Sequence, residues 1–176
     1  MLISRPVSID TCTLINVLAS GAPDIVLGHL STECLISDAV SQESLFLRSE
    51  VLGSPAEQID LTPLIQSGIL KTCQAETPEE EDLYVQLASE LDDGEALSLA
   101  ISVIRGHAFA TDDRKAGRIA KQLGLADIIS TPDILFSCPN IDVRAALRAI
   151  EFRARFVPRK DHPLWGWWSS TSTVAA

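Results

Sequence analysis

The chain has 176 residues, 24 Asp plus Glu against 14 Lys plus Arg, a formal net charge of −10 and a hydrophobic share of 46%. That length suits one domain with an appendage and is ample for a core, and the apolar share excludes wholesale disorder. No apolar run approaches the roughly 20 residues that span a bilayer, the opening residues show no basic and apolar pattern from which a leader is expected, and the acidity argues against nucleic acid, so the expectation is a soluble, cytoplasmic protein without a membrane partner.

Residues 7–10 read as a short strand, 14–19 and 24–30 as helices, 33–37 as a second strand and 40–52 as a helix. Thr62-Pro63 opens a short helix that Gly68 ends, and 69–73 is strand-like. Thr77-Pro78-Glu79-Glu80 is a capping box for a helix to about Leu91. A nearly all-apolar helix over 95–104 lacks a polar face and is expected to be buried. Then come a strand at 107–111, an amphipathic helix at 114–123, a last strand at 127–130, a helix capped by Thr131-Pro132 and an Arg-bearing helix at 143–156. This alternation predicts an α/β domain over residues 1–156, three-layered, with a mainly parallel central sheet. Residues 157–176, with Trp165-Gly166-Trp167-Trp168 and a Ser/Thr-rich end, show no period and read as a flexible tail. Cys12, Cys34, Cys73 and Cys138 show no zinc spacing and are expected as buried thiols, and no histidine stands out as catalytic.

The charge is unevenly spread. Residues 1–113 carry 19 acidic and 4 basic residues, a balance of −15, and residues 114–176 carry 5 acidic and 10 basic, a balance of +5. Several acids fall at junctions. Asp10 ends the first strand, Glu43 follows the second, Glu95 starts the apolar helix, and Asp112 and Asp113 end the strand at 107–111. In a parallel α/β sheet those places share one edge, where ligands bind. Taken singly, each reads first as a helix cap or a favourable first-turn charge. Taken together they would repel one another, and a hard divalent cation, Mg²⁺ or Mn²⁺, would relieve that repulsion and suit phosphodiester hydrolysis. The remaining acid, such as residues 79–82, reads as solvated helix surface.

Ile9-Asp10-Thr11, Val40-x-x-Glu43, Gly94-Glu95-Ala96-x-x-Leu99-Ala100 and Ala110-Thr111-Asp112-Asp113-Arg114-Lys115-Ala116 occur in an order that resembles the PIN domain family, over about residues 7–135. The resemblance implies a metal-dependent ribonuclease with an α/β/α fold, a Mg²⁺ or Mn²⁺ cofactor and an RNA substrate. It implies catalytic roles for Asp10, Glu43, Glu95, Asp113 and Thr111, and a metal site drawn from Asp10, Glu43, Glu95 and the Asp112/Asp113 pair. Thr/Ser-x-Asp in the family favours Asp113, with Asp112 as neighbour or cap. Many bacterial members are VapC-like toxins, so a small antitoxin and a homodimer are the protein partners the resemblance brings with it. Glu95 stands where many relatives have Asp, Cys12 where Ser or Asn is frequent, and Gly117 where Arg is frequent.

Arg114, Lys115, Arg118 and Lys121 lie on the helix that starts beside Asp113, with Ile119, Ala120 and Leu123 available to the core. A basic rim next to an acidic site is what a phosphodiester requires, and Arg144, Arg148, Arg153, Arg155, Arg159 and Lys160 extend the positive stretch. The other reading is a non-catalytic PIN-like scaffold that binds a protein partner through residues 165–168.

Overall fold

A computed structural model describes residues 3–30, 33–43, 45–51 and 53–173. The strands are β1 (Val7–Ile9), β2 (Cys34–Ser37), β3 (Phe46–Leu47), β4 (Glu57–Gln58), β5 (Leu70–Cys73), β6 (Ala108–Ala110) and β7 (Ile128–Ile129). The helices are α1 (Thr11–Ala19), α2 (Pro23–Leu30), α3 (Asp38–Gln42), α4 (Thr62–Gln66), α5 (Pro78–Leu87), α6 (Asp93–Arg105), α7 (Arg114–Gln122), α8 (Thr131–Ser137), α9 (Val143–Ala149) and α10 (Trp165–Ser172). A π turn, Ile150–Ala154, continues α9.

Five strands form one sheet in the order β5-β2-β1-β6-β7, and each neighbouring pair is parallel. Side chains alternate between two cores, as the period of a strand requires. Val7, Ile9, Cys34, Ile36, Ala108 and Ala110 face the core shared with α1, α2, α8 and α9, whereas Phe109 faces the core shared with α5, α6 and α7. Helices on both faces thus bury a sheet of short apolar strands, the three-layer α/β/α arrangement expected from the sequence. Helix α6 packs close through small residues. Gly94, Ala96, Ser98, Ala100 and Ser102 are buried, and Ser98 donates to Ser37 Oγ at 3.1 Å.

The strand order places the site. The chain steps outward from β1 to β2 and β5, then returns to lay β6 and β7 on the other side. The carboxyl ends of β1 and β6 therefore flank the point where the winding reverses, and connections diverge there to leave a crevice. Val7 pairs with Ala108 and Ile9 with Ala110, so the residues after these strands, Asp10 and Thr111, come out side by side.

Several expectations are corrected. The helix predicted over 40–52 stops at Gln42, capped at its start by Ser37, whose Oγ accepts the Val40 N–H at 3.3 Å. Leu45 and Leu47 are buried with Phe46 exposed between them, a period of two, and Phe46–Leu47 pairs antiparallel with Glu57–Gln58. Within the acidic run 79–82, Glu80 is buried, not solvated. Leu123 is 40% exposed and Cys12 is exposed. The region from 157 onward is not a segment without fold: Trp165–Ser172 is helical, Trp168 is fully buried, and its Nε1 donates to Glu151 at 2.8 Å. The Trp168 ring meets Phe156 and Trp167 edge-on, at 5.7 and 6.3 Å between centroids, and Trp167 meets Phe136 at 5.2 Å. Aromatic burial of this size outweighs the entropy that leaves most chain ends loose. Residues 174–176 lie outside the described residues.

Candidate active site

Asp10 leaves β1 as the last rung of the ladder, its N–H bonded to the Ala110 carbonyl at 3.0 Å, and it is the N-cap of α1. One carboxylate oxygen, Oδ1, accepts the Thr13 N–H at 2.7 Å. The other, Oδ2, is buried and has no hydrogen-bond partner among the described residues, and the same holds for the hydroxyl of Thr11. Burial pushes the Asp10 carboxyl up to about 7, and the charge of Asp112 adds to the rise. The Thr111 hydroxyl and the Thr13 N–H pull the other way. The capping reading is therefore half right: a cap uses one oxygen and leaves the second without a hydrogen-bond partner among the described residues.

Asp112 and Asp113 divide the work at the end of β6. Asp113 caps α7, its Oδ1 accepting the N–H groups of Lys115 and Ala116 at 2.7 and 2.8 Å. Its own N–H donates to Thr111 Oγ1 at 3.0 Å, which fixes the turn. Asp112 turns the other way. Its Oδ1 accepts the Thr131 N–H at 2.9 Å, and its Oδ2 accepts Asn16 Nδ2 at 2.9 Å, Thr13 Oγ1 at 3.4 Å and the Thr131 hydroxyl. Burial raises the Asp112 pKa against the pull of these donors. Both Asp112 oxygens are thus taken up by neutral donors from α1 and α8. This makes Asp112 a clasp between the layers, while the second oxygen of Asp113 has no hydrogen-bond partner among the described residues.

Glu95 lies in the first turn of α6, half-buried, and Glu43 closes α3. Burial, then the charge of Asp113, raises the Glu95 carboxyl to about 7, with smaller contributions from Asp92 and Glu43. Gly94 makes room for this approach. A Cβ at that position would meet Glu43 Oε1 at 2.5 Å, Thr11 Oγ1 at 3.1 Å and Val40 Cγ2 at 3.1 Å. Asp92 is the N-cap residue of α6 without a side-chain bond, and Asp93 accepts the Tyr84 hydroxyl at 3.2 Å, outside the cluster.

The thiol of Cys12 reports the convergence. Although the residue meets solvent, the surrounding protein partly desolvates the sulfur and pushes its pKa up to about 12, and the charges of Asp10, Glu95, Asp112 and Asp113 all contribute. Asp10, Glu43, Glu95, Asp112 and Asp113 thus gather on the edge that the sequence assigned to them. Their oxygens do not close into a tight cage: among the described residues no group of three or more His, Cys, Asp or Glu is arranged to hold an ion. The donors present are hard oxygens, one of them buried and unpartnered, and two carboxyls are raised by burial and mutual charge. That chemistry fits a hydrated Mg²⁺ or Mn²⁺, which keeps several waters and takes one or two carboxylates directly.

The basic residues are less uniform than the sequence suggested. Arg114, Arg118 and Lys121 line a cleft beside Asp113, as does Lys115, whose ammonium donates to the Glu90 carbonyl. Arg148 Nε donates to the Ser172 carbonyl at 3.2 Å, and Arg153 pairs with Glu57 at 2.7 Å, so neither serves this edge. Sequence reasoning missed Asn16 and Thr131. A lone Asn within Leu14-Ile15-Asn16-Val17-Leu18 was the available signal, since a buried amide needs a polar partner.

A family model described as a PIN domain matches residues 6–138. No match of significance is found among curated proteins or among solved structures.

Proposed function

Since the chain belongs to the PIN-domain family, which brings with it a nuclease-type fold, we propose that it is a divalent-metal-dependent endoribonuclease that hydrolyses RNA phosphodiester bonds. The observation that carries this reading is the buried Oδ2 of Asp10, without a hydrogen-bond partner among the described residues, at the head of a cluster of carboxylates. Asp10, Glu43, Glu95 and Asp113 would hold Mg²⁺ or Mn²⁺, and the ion, when bound, lowers the pKa of water and offsets charge on phosphate oxygens.

The chain's own residues do the rest. Thr111 sets Asp113 through its hydroxyl, and Asp112 locks β6 to α1 and α8 so that Asp10 and Asp113 keep their spacing. Arg114 and Arg118 offer guanidinium groups to the phosphates on either side of the scissile one. A toxin role with an antitoxin partner, homodimerisation and a cytoplasmic site of action belong to this proposal. Among the described residues no helix is long and apolar enough to cross a membrane. The scaffold reading is left with the partly exposed Trp165 and Trp167, since Trp168 is fully buried.

The test is cleavage of single-stranded RNA with Mg²⁺ or Mn²⁺, against EDTA and against Asp10→Asn. We expect EDTA to abolish cleavage and Asp10→Asn to lower it by about 10²–10³-fold or more. Cleavage in EDTA, or an Asp10→Asn protein as active as the parent, overturns the mechanism.

A further inference from the structure

A cleft of about 1090 Å³ opens beside the acidic edge. One wall is α7, with Arg114, Arg118 and Lys121, and the opposite wall is the segment that follows the π turn, residues 156–163, with Arg159. Between them lie the apolar side chains of Ile128, Pro132 and Phe156. The second wall is outside the stretch that matches the family, which ends at residue 138. We propose that residues 156–163 complete a binding cleft for a single-stranded nucleic acid, with Arg159 holding its phosphates across from Arg118 and Lys121 and guiding it to the acidic edge. This rests on the nuclease reading.

Charge and shape choose the ligand. The chain as a whole is strongly acidic, yet five of the residues lining this cleft are Arg or Lys and three are Asp. A polyanion repelled elsewhere is drawn here, because a groove concentrates the field of its lining charges. Arg118 and Lys121 have no ion-pair or hydrogen-bond partner among the described residues. Among the described residues Arg159 meets only the exposed Asp161, at 3.1 Å, a pair too weakly held to compete with phosphate. Cationic rims over an apolar floor suit a strand whose base faces are free to pack. A duplex hides those faces and offers its phosphates alone.

The second wall is fastened by hydrogen bonds of defined direction. His162 Nδ1 accepts the Leu164 N–H at 3.1 Å, so the neutral ring carries its proton on Nε2, which donates to Ser130 Oγ at 3.0 Å. The Ser130 hydroxyl in turn donates to Asp133 Oδ2 at 2.5 Å. Ser130 follows β7 and caps α8, so the segment is bolted to the sheet edge. The same direction denies Ser130 a role as nucleophile, since the histidine donates to it and cannot take its proton. At the foot of that wall, Phe156 meets the buried Trp168 edge-on. His162 is thus a positioning residue for Arg159.

The experiment uses the full chain in EDTA, with a fluorescent single-stranded RNA of mixed sequence followed by anisotropy over a range of salt. Arg159→Ala should weaken binding by about 3–10-fold, and Arg118→Ala with Lys121→Ala by more. Each lost phosphate contact should lower the salt slope by about 0.7. Arg144→Ala, on α9 and away from the cleft, should bind as the parent does. His162→Ala should weaken binding, and adding Arg159→Ala should cost nothing further, which a purely structural histidine does not produce. Circular dichroism confirms folding of each variant. Unchanged binding by Arg159→Ala, no binding at all, or a blunt duplex bound as tightly as the single strand overturns the proposal. Binding without any Mg²⁺-dependent cleavage defeats the nuclease reading and leaves the cleft standing. Asp10-dependent cleavage with Arg159→Ala binding unchanged defeats the cleft alone.

Discussion

Glu80 and Asp10 are both withdrawn from water, at 1% and 0% exposure, one in the first turn of α5 and the other at the end of β1. Glu80 is met by Arg105, whose Nε and Nη2 donate at 2.6 and 2.9 Å, and by the N–H groups of Glu76 and Thr77 at 2.7 and 3.3 Å. The Arg105 hydrogen bond holds its carboxyl down to about 2. Burial lifts the Asp10 carboxyl to about 7: one oxygen receives a backbone N–H, the other has no hydrogen-bond partner among the described residues, the nearby Thr111 hydroxyl offsets only part of the rise, and the charge of Asp112 adds to it. A fold that supplies a guanidinium to one buried acid has the means to supply one to another. The difference marks the first as a stability element and the second as a site kept open for a cation from solution.

The comparison breaks first at Glu80. Glu80→Ala takes the principal carboxylate from the Arg105 guanidinium, 22% exposed, leaving it the Gln74 carbonyl and Glu76 at 3.7 Å, and removes one half of the α5 capping box. We expect a loss of roughly 3–4 kcal/mol in urea unfolding, with RNA cleavage unchanged at temperatures where the protein stays folded. Because the folded pKa lies below the ordinary 4.5, this stability is fully present above about pH 4.5 and fades as pH falls towards 2. Glu80→Gln should remove that acid limb.

Asp10 should answer in the opposite sense. Its folded pKa of about 7 lies above the ordinary 3.8, so the metal-free folded chain holds a proton that the unfolded chain releases. Metal-free stability therefore falls as pH rises from about 4 through 7. Asp10→Asn keeps an N-cap and removes the charge, so at pH 8 in EDTA it should gain roughly 0.5–2 kcal/mol, a gain that vanishes near pH 4. A variant destabilised at pH 8 as much as Glu80→Ala would erase the distinction between the two acids.

Gly94→Ala probes the smallest effect on stability. The new Cβ gains helix propensity of about 1 kcal/mol and crowds Val40 and Thr11, so the net change should stay within about 1 kcal/mol. Glu43 Oε1, at 2.5 Å, has to swing aside, and cleavage should fall by about tenfold. Full activity in this variant would remove Glu43 from the site.

The parts of the fold that sequence disclosed are those where one local rule suffices. Val7-Ser8-Ile9 before Asp10 and Ala108-Phe109-Ala110 before Thr111 are apolar runs ended by polar residues, and strand ends in a parallel sheet share an edge whatever lies between them. Thr77 and Glu80 announced the α5 capping box. What stayed hidden depends on partners distant in the chain. Leu45 and Leu47 fit a helix as well as a strand until Glu57–Gln58 pairs beside them. Nothing near Glu80 signals Arg105, 25 residues away. The division between Asp112 and Asp113 depends on Asn16 and Thr131, which reach Asp112 from two other helices. The Trp-rich end has no period because one ring, Trp168, does most of its burying.

That ring has a consequence for where this protein begins and ends as a physical object. Kinship with other PIN domains extends over residues 6–138, yet the core that encloses Ile9 and Leu14 also encloses Leu147, Ile150 and Trp168. A chain cut at Cys138 would take Leu147, Ile150 and Trp168 from that core and wet the outer face of α1. Ancestry and cooperativity draw different borders on this molecule. Whatever covers α1 belongs to the same cooperative unit, although the resemblance to the family stops short of it.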